Sequence, residues 1–178
     1  MRKLQYDRHV LFLWLALPAL LSLSFSVPGA KTDELIPELE VLRPFVGDWI
    51  GEFQDAGERP TVHRSWTPIL DGQAIRETRS VPEVGFEAES IYYYDRAAGV
   101  VAYLGLTDNG YMSRGRIAFD GGLFTQSGEQ TRPDGSTGSI RVTFEFTDEG
   151  TLVNQLFNLE GDEWRTGHSV IYTPKGGG

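Results

Sequence analysis

Six times along this chain an acidic residue or an asparagine stands directly before a glycine: Asp71-Gly72, Asn109-Gly110, Asp120-Gly121, Asp134-Gly135, Glu149-Gly150 and Glu160-Gly161. Such dipeptides supply the positive φ angles that tight hairpin turns demand. The runs between and around them are WIGEF, TVHRSWTPIL, QAIRETRSV, GFEAESIYYYD, VVAYLGLT, YMSRGRIAF, LFTQSG, SIRVTFEFT, TLVNQLFNL and EWRTGHSVIYT, about ten segments of alternating or β-branched character. The cleanest alternation sets Ile140, Val142, Phe144 and Phe146 against Ser139, Arg141, Thr143 and Glu145, one face buried and one wet. No long helical stretch intervenes, which argues against a parallel βαβ architecture. A meander of this many strands either stacks as two sheets or closes on itself, and closure removes exposed edges. The expectation is an all-β fold, a closed antiparallel β-barrel of about ten strands preceded by one short N-terminal helix.

That helix is read from KTDELIPELEVLRPFVG, where Leu35, Leu39 and Leu42 fall at helical spacing. Asp33 and Glu34 lie near its start, Thr32 is a candidate N-cap, Pro37 fits only the first turn, and Pro44 and Gly47 follow its end. Upstream, residues 1–30 run from basic residues through an apolar stretch, Val10 to Val27, to the break Val27-Pro28-Gly29-Ala30. This is the layout of a secretory signal peptide and predicts export, periplasmic or secreted, with residues 31–178 as one barrel domain. The competing reading is an uncleaved membrane anchor, because the apolar run approaches the length that spans a bilayer. The chain has no cysteine, so neither disulfides nor a lipid-modified cysteine can hold it.

The formal charge is −9, and removal of residues 1–30, with Arg2, Lys3 and Arg8 against Asp7, leaves 13 basic and 24 acidic residues, or −11. Nucleic acids and anionic membranes both need a basic footprint, so neither is expected as a partner of the domain once the signal is removed. Oligomeric state is left open, a dimer included.

In EWRTGHSVIY the two-residue period of a strand puts Trp164, Thr166, His168, Val170 and Tyr172 on one face. A histidine among aromatics has three readings: a hydrogen-bonded core residue, a polar handle for an organic ligand, or an axial ligand to haem iron. Tyr92 and Tyr94 alternate away from Tyr93, so one or two hydroxyls can enter the interior. Arg64, Arg76, Arg79, Arg114 and Arg116 interrupt strands, and the first reading is a solvated salt-bridge ladder on the outside. Arg64, however, shares parity with Val62 and Trp66, and an inward guanidinium requires a partner: Glu77, Glu89 or a ligand carboxylate. His63 alternates away from Trp66, toward solvent.

In FVGDWIGEF the pattern Gly47-x-Trp49-x-Gly51 sits just after the helix and opens the first strand. This resembles the start of lipocalin-like (calycin) barrels, in which a helical turn leads into a Gly-x-Trp strand whose tryptophan closes one barrel end. The order of parts over residues 40–175, with SIYYYDRAAGVVAYLG in the middle and HSVIYTPK at the end, is similar to an uncharacterised bacterial family of lipocalin-like domains. It is also distantly similar to nitrobindin-type haem-binding β-barrels. That resemblance implies structural roles for Gly47, Trp49 and Gly51, and it implies haem as a cofactor with His168 as the proximal ligand.

Enzyme signatures are thin: there is no cysteine nucleophile, no Gly-x-Ser-x-Gly elbow, no phosphate loop and no metal-type spacing. The functional expectation is a non-enzymatic protein that holds a small hydrophobic or amphipathic ligand in the barrel lumen. Trp66, Phe144, Phe146 and Trp164 would bury its apolar surface, while His168, Tyr172, Tyr92 or Arg64 would orient it. Alternatives are the haem barrel, a lumen enzyme using Glu77 with Glu89 on a lipid-like substrate, and a structural domain with a filled core.

Overall fold

The structure, a computed structural model, describes residues 34–55, 57 and 59–176, so the expected signal segment, residues 1–30, and the candidate N-cap Thr32 lie outside the described residues. It contains ten strands: β1 (Gly47–Phe53), β2 (Thr61–Ile69), β3 (Ala74–Val81), β4 (Phe86–Asp95), β5 (Val100–Thr107), β6 (Met112–Asp120), β7 (Leu123–Thr131), β8 (Thr137–Phe146), β9 (Leu152–Glu160) and β10 (Glu163–Pro174). Each strand pairs antiparallel with its sequence neighbour, and β1 pairs with β10 to close the barrel. The predicted turn glycines Gly72, Gly110, Gly121, Gly135, Gly150 and Gly161 all take positive φ, which is why the chain can reverse at those points. Among the described residues no helix is long and apolar enough to cross a membrane.

The segment before β1 departs from the expected α-helix. It is a 3-10 helix, Pro37–Phe45, with Pro37 at its start, Ile36 in the cap position, and Pro44 inside rather than beyond it. The buried residues explain the choice. Leu39, Leu42 and Phe45 recur every three residues, and three residues per turn puts all of them on one face. That face closes one end of the barrel. The Phe45 ring lies 4.9 Å from Trp66, 4.7 Å from Phe124, 5.6 Å from Phe144 and 5.1 Å from Phe146. Trp49 locks the plug by donating its indole N–H to the Phe45 carbonyl at 2.8 Å. The hydrogen bond from the Ile36 amide to the Gly72 carbonyl, 3.2 Å, ties the start of this segment to the β2–β3 turn.

Above the plug the barrel is hollow, and the register shows why. Cross-strand partners face the same side, so Glu77, Ser90, Gly105, Ser113 and Gln130 form one inward row around β3 to β7. Serine and glycine occupy its centre. A side chain at Gly105 would strike the Ser113 and Ser90 hydroxyls, at 2.8 and 3.0 Å from its Cβ. The row below runs Ile75, Tyr92, Tyr103, Gly115 and Gly128, large on β3 to β5 and empty on β6 and β7.

Candidate functional site

The hollow is a chamber of about 560 Å³, bounded among others by Arg64, Glu77, Arg79, Ser90, Tyr92, Ser113, Gln126, Phe144, Asn154 and His168, with Asn109, Arg132 and Glu160 also in its lining. An apolar annex of about 230 Å³ adjoins it, walled by Phe53, Pro60, Val62, Val81, Val84 and Val170. Arg79, Phe86 and His168 line both spaces. A further depression of about 600 Å³ is lined mostly by outward residues such as His63, Ser65, Thr78, Glu87 and Glu89, and it is also bordered by Trp49, Arg64 and Arg79. No buried polar atom left without a partner belongs to those outward residues, whereas every such atom among the described residues sits on an inward side chain. The chamber is therefore the candidate site.

Its base is charged. Arg64 and Arg79 stand directly opposite each other across β2 and β3, on the inward face. This corrects the reading of the strand arginines as an outer ladder: Arg64 is 3 % exposed and Arg79 is half-buried, while Arg76, Arg114 and Arg116 are exposed. Glu77, 4 % exposed, sits beside them with its Oε1 3.0 Å from Arg64 Nε. The two are close as charges, yet the N–H is poorly aimed, for neither atom counts as hydrogen-bonded. Glu77 Oε2 does accept a hydrogen bond, from the Tyr92 hydroxyl at 2.9 Å, and the same hydroxyl lies 3.1 Å from Gln126 Oε1. Below the pair, the Arg64 guanidinium lies 4.6 Å from the centre of the Tyr172 ring and 5.4 Å from that of Phe144.

These contacts decide the charge states. Burial pushes the Glu77 carboxyl up, but Arg64, Arg79 and the Tyr92 hydroxyl outweigh it and leave it below the usual carboxylate range. Burial opposes the Arg64 cation, and the Tyr172, Glu77 and Tyr92 oxygens more than offset that, so it stays charged. The Tyr92 hydroxyl is pushed well above its ordinary value by burial and by Glu77, and so remains a neutral donor.

The region around His168 departs from simple alternation. Between Thr166, opposite Phe157, and Ser169, opposite Gln155, β10 carries one residue more than β9. This β-bulge sets Gly167 and His168 together against Leu156. His168 therefore faces the lumen with Val170 and Tyr172, its ring 5.3 Å from Phe53. Trp164 does not. Beyond the bulge the parity is reversed, and Trp164 lies outside with its ring 4.2 Å from the guanidinium of Arg141. His168 keeps open surface toward the lumen, but protein surrounds it on most sides. Burial first, and then Arg79 and Arg64, lower its pKa to about 4, so the imidazole is neutral at physiological pH.

The remaining sequence-predicted residues divide by level. Tyr92 and Phe144 border the chamber and Tyr172 borders the annex. Trp66 and Phe146 sit lower, in the plug: Trp66 is stacked between Phe45 and Tyr92, and Phe146 lies against Phe45 and Trp49. Gly47 opens β1 at φ 130°, Trp49 joins the plug, and Gly51 lies beneath the Tyr172 ring. Glu89 does not meet Glu77; it pairs with Thr78 and Leu106 on the outer face, so the two carboxylates are separated by the barrel wall. Sequence reasoning passed over Ser90, Gly105, Ser113, Gln126 and Asn154. The usable signal was glycine in strand interiors, which marks a missing side chain where a neighbour or a ligand comes close.

No family model matches the chain, and no curated protein matches it in sequence. Among solved structures, it is similar to that of Rv2717c from M. tuberculosis, with a TM-score of 0.52 at 14% identity over 80% of this chain and 99% of that one. At such low identity the likeness speaks for the fold alone, a closed ten-strand antiparallel barrel consistent with the calycin type.

Proposed function

We propose that this protein binds a small amphipathic molecule inside the barrel and performs no covalent chemistry on it. One observation carries this reading: a chamber of about 560 Å³ with a polar, charged base opens beside an apolar annex of about 230 Å³, and Arg79 and His168 border both. Volumes of this order suit a small organic ligand. Its apolar part would bury surface against Phe53, Val62, Val81 and Val170, gaining roughly 25 cal/mol for each Å² removed from water. Its polar part would meet the charged base. Export, with the ligand taken up outside the cytoplasm, accompanies this reading as the expectation drawn from residues 1–30.

The test is uptake of the neutral fluorophore N-phenyl-1-naphthylamine by purified protein. Fluorescence should rise on binding and fall back in Val170→Trp, which fills the annex, and in Ser113→Trp, which fills the chamber from the opposite wall. A rise that survives both substitutions in folded protein would place binding outside the barrel and end the reading.

Haem is a second reading with one observation in its favour: the His168 imidazole faces the lumen in its neutral form, the form that ligates iron. His168 would hold the haem as axial ligand, and the iron would supply redox or diatomic-gas chemistry. Haem added to the purified protein should then give an absorption band that His168→Ala removes. No band on addition dismisses it.

A further inference from the structure

We propose that the base of the chamber is a receptor for one carboxylate, and that the ligand is an amphipathic monoanion whose head sits on Arg64 and Arg79. This rests on the lumen-binding reading above and narrows it to a chemical class. The starting point is register. Two like charges set directly opposite each other on one face of an antiparallel pair repel, and burial strengthens the repulsion. Arg64 and Arg79 are such a pair, and a single buried carboxylate, Glu77, accompanies them. Two cations less one anion leave one positive charge uncompensated at the base.

Hydrogen bonding tells the same story. Arg64 Nη1 and Arg79 Nε are buried without a hydrogen-bond partner, as is the Tyr172 hydroxyl beneath the annex, and Arg64 Nε has only its poorly aimed ion pair with Glu77. Among the described residues Arg79 makes no hydrogen bond or ion pair at all; its nearest aromatic contact is the Phe86 ring, 5.6 Å from the guanidinium carbon. Buried guanidinium groups are ordinarily paired, because an unpaired one forfeits hydration without replacement. A carboxylate is the acceptor whose planar, two-oxygen shape matches a guanidinium fork. The remaining charged lining residues, Arg132 and Glu160, offset each other and leave the surplus where Arg64 and Arg79 are.

The rest of the molecule makes this arrangement specific. The chain carries 25 acidic residues against 16 lysines and arginines. The net negative charge of the protein therefore repels an anion. Only a local, enclosed excess of guanidinium can hold one. The annex beside Arg79 then takes the apolar part of the same molecule, so head and tail are recognised in adjoining spaces.

The experiment is calorimetric titration with two matched pairs, decanoate against decanamide and 2-naphthoate against 2-naphthamide, on wild type, Arg79→Gln, Arg64→Gln and Glu77→Gln. The acid of at least one pair should bind about tenfold or more tightly than its amide, the scale of a charge-assisted hydrogen bond. Arg79→Gln should erase that preference by weakening the acid far more than the amide, whose carbonyl accepts only a neutral hydrogen bond there. Glu77→Gln should widen it, because the competing internal anion is gone. Arg64→Gln and Glu77→Gln both break the buried pair and can unfold the protein, so Arg79→Gln, which leaves that pair in place, decides the matter, and Glu77→Gln adds the opposite sign where it folds. Equal binding of acid and amide, or no binding of either in protein that takes up the neutral fluorophore, overturns the carboxylate receptor and leaves the lumen reading standing. Protein that takes up neither fluorophore nor probe overturns both.

Discussion

At Gly51 a single added methyl group has nowhere to go. Its Cβ would stand 2.5 Å from Cδ1 of Tyr172 and 2.7 Å from a methyl carbon of Val170. The glycine of the Gly-x-Trp-x-Gly pattern is there so that the Tyr172 ring can lie flat against β1 and support Arg64 from below. Gly51→Ala should cost about 1–3 kcal/mol by overpacking, read as a lower urea midpoint. An unchanged midpoint would mean that the ring does not cover that strand. His168 gives a second test at this scale. Its pKa falls from 6.5 to about 4 on folding, so the unfolded chain takes up a proton that the folded one resists. Stability is therefore full above about pH 6.5 and declines as the pH falls toward about 4. His168 keeps open surface, so solvent screening reduces the effect to on the order of 1 kcal/mol. His168→Asn should flatten that part of the profile, and in the wild type the proton resonances of the His168 imidazole should show no titration step above pH 6.

At the scale of the element, one inserted residue decides which side chains belong to the site. The β10 bulge keeps His168 inside and sends Trp164, 37% exposed, to the outer wall beside Arg141. Trp49 and Trp66, at 6% and 2%, are sealed in the plug. Acrylamide should therefore quench one tryptophan of the barrel domain freely and two poorly, and Trp164→Phe should remove the accessible component. Loss of a shielded component instead would put Trp164 back in the lumen and abolish the bulge. The 3-10 helix teaches a similar lesson. Leu35, Leu39 and Leu42 suggested an α-helix, but Phe45 completes a period of three that also accommodates Pro37 and Pro44, and packing against the plug selects it.

For the molecule as a whole, closure is the decisive property, since it encloses the space in which an unpaired arginine can persist. The seam is β1 with β10, where Ile50 lies opposite Thr173 on the outer face. Opposed residues in an antiparallel pair bring their Cα atoms to about 4.5–5.5 Å, within disulfide reach. The chain has no cysteine of its own, so the double variant Ile50→Cys, Thr173→Cys tests the seam cleanly. Oxidation should yield an intramolecular disulfide and raise the unfolding midpoint. Free thiols in folded, oxidised protein would argue for an open sheet.

The sequence by itself determined the ten strands, their turns and the all-β class, because alternation and positive-φ glycines are local properties legible one residue after another. It also placed Tyr92 and Tyr93 on opposite faces, and it identified Glu77 as one of the partners an inward Arg64 would need. What only the tertiary structure decided was the site: Arg79 beside Arg64, Glu89 beyond the wall, Trp164 outside, and a hollow above a solid plug. Each of those depends on register around a closed sheet or on a single extra residue in one strand. A shift of one residue exchanges the two faces of a strand, and nothing local in the sequence records it.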